Sequence, residues 1–194
     1  MSTRASAAAV AVAMVVAAAC GGSTARGARA LGAAAIPETI KVTSPAFANN
    51  GMIPRANTCD GTGTAPAVAW SAVPPAAKSV AVVVDDPDAP GGAPFVHWIV
   101  VGLPAAPGTL PSTSSGVHAL DNGRGTLGWT PPCPPTGAAH RYHFTVYALS
   151  DYVCADNGDA SNGPDCSPPA AVAALSQIRN TALAKGVLVG SYRR

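Results

Sequence analysis

Apolar residues fall in short runs separated by dense turn signals, the pattern of a β-rich chain and not of a helical bundle. Ser79–Val84 is a continuous apolar run that predicts a buried strand, and it leads straight into Asp85-Asp86. Phe95–Val101 predicts a second strand, rich in β-branched and aromatic residues, and Tyr142–Leu149 is the best-defined strand in the middle of the chain. Thr39–Thr43 reads as an edge strand and Ala67–Trp70 as a short apolar piece inside the turn-rich stretch Pro54–Pro75. Val187–Tyr192 reads as the last strand. Leu103–Thr126, broken by Pro104, Pro107 and Pro111, is expected to be mostly connection. One helix is predicted, over residues 168–185. Ser167 can cap it, Pro168 suits its first turn, and Val172, Leu175, Ile178 and Leu183 form an apolar stripe near the 3.6 period. Gly186 stands where a helix terminator belongs.

Composition narrows the picture. The 194 residues are 48% hydrophobic and 11% charged, with 20 Gly and 19 Pro, which fits one loop-rich β domain. Lys and Arg number 12 against 10 Asp and Glu, for a formal charge of +2. The basic residues are scattered, so no stripe tracks a phosphate backbone, and nucleic acid is excluded as a partner. No spacing recurs along the chain, which excludes a solenoid or propeller.

The first residues form a segment of their own. Met1-Ser-Thr-Arg4 precedes an apolar stretch, Ala5–Ala19, interrupted by Ser6. About fifteen helical residues rise only ~22 Å, short of the roughly 30 Å hydrocarbon core of a bilayer. Residues 1–19 therefore read as a signal peptide. Ala18-Ala19-Cys20 resembles the lipobox of bacterial lipoproteins, with Ala17 where Leu is usual. That resemblance implies cleavage before Cys20, acylation of Cys20, and a membrane anchor facing away from the cytoplasm. Residues 20–38, poor in apolar bulk, read as lipidated cysteine and flexible tether, and 39–194 as the folded domain.

Cysteine usage agrees with export. Besides Cys20 there remain Cys59, Cys133, Cys154 and Cys166, an even set with three pairings open to it. Cys154 and Cys166 bracket a polar loop and suggest a local bridge, which leaves Cys59 and Cys133 to each other. No pair has zinc-site spacing. The loop Asp156–Asp165 has oxygen ligands but lacks the Glu that closes a calcium loop, so no metal is expected.

Three features carry candidate chemistry. Asp85-Asp86-Pro87-Asp88-Ala89-Pro90 holds carboxylates on a backbone stiffened by proline. His97 lies inside an apolar strand, where strict alternation places Phe95, His97 and Ile99 on one face and Val96, Trp98 and Val100 on the other. His140-Arg141-Tyr142-His143 enters the strand Tyr142–Leu149. If extended geometry reaches back to residue 140, His140, Tyr142 and Phe144 share a face, and an imidazole and a phenol lie side by side as donors for an anion.

In combination these motifs resemble the phosphatidylethanolamine-binding protein family, in its bacterial, Raf-kinase-inhibitor-like branch. The resemblance rests on Asp86-Pro-Asp-Ala-Pro90, Phe95-Val-His-Trp98, Cys133-Pro-Pro135 with Gly137, His140-Arg-Tyr142 and Val146-Tyr-Ala-Leu149. Phe47, Asn50-Gly51, Ile53-Pro54 and Thr58-Cys59-Asp60-Gly61 extend it toward the start of the domain. It implies a mainly β fold, with a large antiparallel sheet packed on a smaller one and a helix near the C-terminus. It also implies a small anion pocket lined by Asp86, His97, His140 and Tyr142, with Pro87 and Pro134 shaping its mouth. The ligand so implied is a small anionic or phosphate-bearing group, including a phospholipid head. The imidazoles and the phenol would donate to the phosphate, while Asp86 orients a histidine or accepts from an ammonium. Pro131 stands where that branch carries Gly, and Gly102 where Asn is common.

The resulting expectation is a non-enzymatic binding domain without a cofactor, anchored to a membrane by lipid. Inhibition of a protease or another protein target through surface loops is the first alternative, and a homodimer is open. Hydrolytic chemistry using Cys133 or the histidines is the second alternative, though the chain lacks a Gly-x-Ser-x-Gly elbow.

Overall fold

A computed structural model describes residues 35–111, 117–153 and 170–194, the side chains of 170–173 excepted. Cys20, Cys154, Cys166 and the loop Asp156–Asp165 lie outside the described residues, as do Ser167 and Pro168.

Among the described residues nine strands and one α-helix follow one another: β1 (Lys41–Thr43), β2 (Gly51–Met52), β3 (Val68–Ser71), β4 (Ser79–Asp86), β5 (Phe95–Pro104), β6 (Gly108–Leu110), β7 (His118–Ala119), β8 (His140–Leu149), α1 (Ala170–Thr181) and β9 (Ala182–Tyr192). The small sheet has the order β1-β3-β6 and the large one β2-β9-β8-β4-β5-β7. All pairings are antiparallel except β2 with β9. The expected mainly β architecture, a larger sheet over a smaller one with a late helix, is the one observed.

The apolar run of β4 is continuous because the strand is central and covered on both faces. Val80, Val82 and Val84 face one core with Val68 and Trp70 of β3, Phe144 and Val146 of β8, and Leu110 of β6. Ala81 and Val83 face the other core, with Ile99, Val101 and Leu149 and with Ala174 and Ile178 of α1. The large sheet is thus the middle layer, between the small sheet and the helix.

Two expectations are corrected. The helix does not run to residue 185: it ends at Thr181, and Ala182–Lys185 open β9. Helix propensity in this Ala-rich stretch loses to a ladder that pairs Ala182 with Leu149, Ala184 with Ala148 and Lys185 with Tyr147. Gly186 is consequently no terminator. It sits inside β9, where a Cβ would run into the backbone carbonyl of Ile40. The described part of Leu103–Thr126 is mostly connection, as expected, and carries the short strands β6 and β7 and the end of β5.

The second correction concerns β5. Val84 pairs with Trp98 but Asp85 pairs with Val96, so His97 is the extra residue of a β-bulge. Strict alternation is broken there. His97 lies on the same face as Trp98 and Val100, whereas Ile99 faces α1. A further irregularity separates the Val80 and Val82 pairs, and Gly102 sits there at φ +75°, a left-handed conformation that suits Gly or Asn.

Candidate functional site

One end of the large sheet gathers the four polar side chains singled out in the sequence. β4 runs between β5 and β8, and its last residue, Asp86, has Phe95 of β5 as its neighbour on one side. On the other side the ladder pairs Asp85 with His143 and leaves Tyr142 and His140 just beyond. β8 begins at His140, so the extended geometry does reach back and His140, Tyr142 and Phe144 share a face. All four groups are buried, with relative exposures of 4% for Asp86, 5% for His97, 9% for His140 and 0% for Tyr142. Pro87, partly buried, follows Asp86 directly, and Pro134 is buried in the proline-rich segment after Thr130. These two prolines offer carbon surface only.

The hydrogen bonds fix the tautomers. His140 Nδ1 lies 2.8 Å from Asp86 Oδ2, a donor facing a carboxylate. The other carboxylate oxygen, Oδ1, accepts from the Asp88 N–H at 2.8 Å. Asp86 therefore orients a histidine, one of the two roles expected of it, and both its oxygens are engaged in doing so. His97 Nδ1 lies 2.7 Å from the Thr130 carbonyl, which can only accept, so Nδ1 carries the hydrogen. Burial pushes the His97 imidazole below its ordinary value, which keeps the ring neutral and leaves a lone pair on Nε2. In this arrangement His97 offers Nε2 as an acceptor, where the resemblance implied a donor.

Tyr142 has the opposite problem. Its hydroxyl is buried and has no hydrogen-bond partner among the described residues. Burial, with the nearby Asp86 and Asp88 charges, pushes the phenol well above its ordinary value, so it stays a protonated donor. The ring packs edge-on against His97, centroids 5.2 Å apart at 76°. Phe95 also packs edge-on against His97, at 4.8 Å, and Trp129 approaches it at 6.2 Å. An aromatic wall thus surrounds the imidazole.

Several positioning groups escaped the sequence reading. The Thr130 carbonyl is invisible to any argument from residue type. Asp88 takes two side-chain hydrogen bonds from Arg141, at 2.9 and 2.7 Å, and one from the Arg141 N–H at 2.9 Å. These bonds hold the Asp88 carboxyl far below the usual range and tie the turn after β4 to the start of β8. A charged residue on each side, in so sparsely charged a chain, was the available signal. Asp60 accepts from the Tyr192 hydroxyl at 2.7 Å, and Tyr192 is the ladder partner of His140.

Cys59 and Cys133 form a disulfide, S–S 2.05 Å and Cα–Cα 5.3 Å, as the remaining pairing predicted. It fastens the proline-rich segment to the Thr58–Gly61 turn, where the Cys59 N–H also donates to the Pro132 carbonyl at 3.0 Å. The bridge removes the thiolate on which hydrolysis through Cys133 depends. Among the described residues no cluster of metal-ligating side chains occurs, and no helix is long and apolar enough to cross a membrane.

Known proteins resemble this chain in sequence and in fold. A sequence profile described as phosphatidylethanolamine-binding protein matches residues 43–193. A UPF0098 protein of Methanothermobacter thermautotrophicus is 34% identical over 162 residues, covering 80% of this chain and 99% of its own. A Mycobacterium tuberculosis protein named as lipoprotein LppC is 43% identical over 115 residues, 58% of this chain, and the match spans 56% of LppC. Among solved structures, E. coli YbcL, described as a new member of the mammalian PEBP family, superposes with a TM-score of 0.68 at 28% identity, covering 80% of this chain and 98% of YbcL. The PEBP homologue CT736 of Chlamydia trachomatis superposes with a TM-score of 0.65 at 31% identity, over 80% of this chain and 97% of that one.

Proposed function

The chain belongs to the phosphatidylethanolamine-binding protein family, and we propose on that footing that it binds a small phosphate-type anion where Asp86, His97, His140 and Tyr142 meet. The observation that carries this reading is the Tyr142 hydroxyl, a buried donor with no acceptor among the described residues. A ligand oxyanion supplies that acceptor, and a donor aimed at an anion in a dry site is worth more than one in water. His140 adds a second donor at Nε2 when its ring is protonated, since Nδ1 is already committed to Asp86. The Asp86 carboxylate 2.8 Å away would balance the charge of such an imidazolium.

His97 gives the ligand a further requirement. A neutral imidazole with only a lone pair free accepts from an oxygen that still carries a hydrogen. Two donors and one acceptor suit a phosphate or phosphate monoester bearing one proton better than a fully ionised one. Pro87 and Pro134 shape the mouth. Both Asp86 oxygens are occupied and the Cys133 thiol is held in a disulfide, which favours capture over turnover.

The domain would act at a membrane surface outside the cytoplasm, held by lipid on Cys20. The lipobox-like Ala18-Ala19-Cys20 and the lipoprotein name of the mycobacterial relative support this.

The test is an NMR titration of the imidazole signals with inorganic phosphate and with phosphoethanolamine. Both should shift the His97 and His140 resonances, and replacing both histidines by Gln should abolish the response. Unchanged spectra at millimolar ligand would end the reading.

A further inference from the structure

The end of β4 places two adjacent carboxylates on opposite faces of the large sheet. Asp86 belongs to the site above. Asp85 points the other way, into a cleft of about 210 Å³ between the sheet and α1. The cleft is lined by Val83 and Val96 from the sheet and Leu175 and Ile178 from the helix, together with Asp85, Arg179 and the Tyr147 ring. None of these residues belongs to the anion site, and the sheet separates the two.

Neither Asp85 nor Arg179 takes part in any ion pair or side-chain hydrogen bond found among the described residues. Asp85 is half-buried, and burial raises its carboxyl above the ordinary value although His143, its ladder partner, and Arg179 both pull it down. A half-buried carboxylate without a hydrogen-bond partner is an unfavourable arrangement that a cationic ligand group would relieve. Arg179 is exposed and presents a planar fork suited to a carboxylate.

An acid and a base in the same apolar-walled cleft suit a small zwitterion with an apolar side chain. Drug-sized ligands fill roughly 300–1,000 Å³, so this cleft takes something smaller. We propose that the cleft between α1 and the large sheet binds a free α-amino acid of leucine or phenylalanine size. The ammonium lies on Asp85, the carboxylate on Arg179, and the side chain on Val83, Val96, Leu175 and Ile178. A plain carboxylic acid leaves Asp85 unrelieved and is repelled by it. A plain amine faces Arg179 without compensation.

The experiment is a titration of the isotope-labelled protein with L-leucine, 3-methylbutylamine, 4-methylpentanoic acid and glycine, followed by amide NMR. Leucine should shift Val83, Asp85, Val96 and Ile178 while leaving the His140 and Tyr142 signals in place. The amine, the acid and glycine should each bind at least ~10-fold more weakly, since each lacks one charge-assisted contact or the apolar group. Asp85→Asn and Arg179→Gln should each weaken leucine by a similar factor without altering the response to phosphate, which also reports that the variants are folded. Absence of leucine-dependent shifts at about 10 mM, or equal binding of the amine or the acid, would overturn the proposal whether or not phosphate binds at the opposite face.

Discussion

Replacing Tyr142 by Phe should move stability and affinity in opposite directions. The hydroxyl is fully buried and lacks a partner among the described residues. A buried polar group left unsatisfied costs roughly 1–3 kcal/mol, and Phe removes that cost while keeping the ring. The edge-on contact with His97 at 5.2 Å is retained, so no cavity opens. For a folded region of this size each kcal/mol corresponds to about 2–4 °C, so Tyr142→Phe should raise the melting temperature of the free protein by roughly 2–12 °C. The same change deletes a donor to an anion, worth about 1.5–3 kcal/mol, or roughly 10- to 150-fold in Kd for phosphate. Thermal unfolding with and without phosphate, and calorimetric titration of the folded variant, measure both. A variant less stable than the parent in the absence of ligand would mean that the hydroxyl already has a partner. A variant that binds phosphate unchanged would mean that Tyr142 does not face the anion. Either result refutes the reasoning.

The Cys59–Cys133 bridge closes a loop with a sequence separation of 74. Loop-closure entropy assigns it about 4–5 kcal/mol, so the double Ser variant should melt on the order of 10 °C lower, and an unchanged midpoint would remove its structural role. His97 should make stability fall as pH falls. Its folded-state value is depressed, so below about 6.5 the unfolded chain binds a proton that the folded one refuses. Denaturant unfolding should show stability lost through this window at a slope of up to about 1.4 kcal/mol per pH unit, and a His97→Gln variant should lose correspondingly less between pH 6.5 and 5. Gly186→Ala should destabilise by roughly 1–3 kcal/mol or prevent folding, because its Cβ meets the Ile40 backbone and not a movable side chain. A neutral effect on the denaturation midpoint would contradict the close crossing.

What the sequence revealed of this molecule depended on how regular the local ladder is. β8 has register-matched partners on both sides from residue 143 to residue 148, so simple alternation correctly put His140, Tyr142 and Phe144 on one face. The continuous apolar run of β4 reflected burial from two sides, and that too could be read directly. The segment 182–185 could not, because its preference for helix is local while the strand that captures it, β8, lies more than thirty residues away in the chain. The Thr130 carbonyl could not be read either, since a main-chain acceptor leaves no mark on residue type. The Cys59–Cys133 pairing emerged only by eliminating the other two cysteines.

The bulge at His97 is the element on which these observations converge. With strict alternation, a strand that keeps Trp98 and Val100 in the core against the small sheet would turn residue 97 toward α1. The extra residue opposite the Val84–Asp85 step shifts the phase by one position. Val96 can then stay on the helix side, opposite Asp85, while His97 joins Phe95, Trp129 and Tyr142. The same irregularity lets the His97 N–H and carbonyl chemistry be shared with Thr130, whose N–H donates to the His97 carbonyl at 2.9 Å as its own carbonyl accepts from the ring at 2.7 Å. This two-point clasp holds the ring orientation at a place where the ladder to β4 is interrupted. A sequence with the same residues and no bulge would keep both hydrophobic cores and lose the constellation, which makes the bulge a feature of the site and not of the fold.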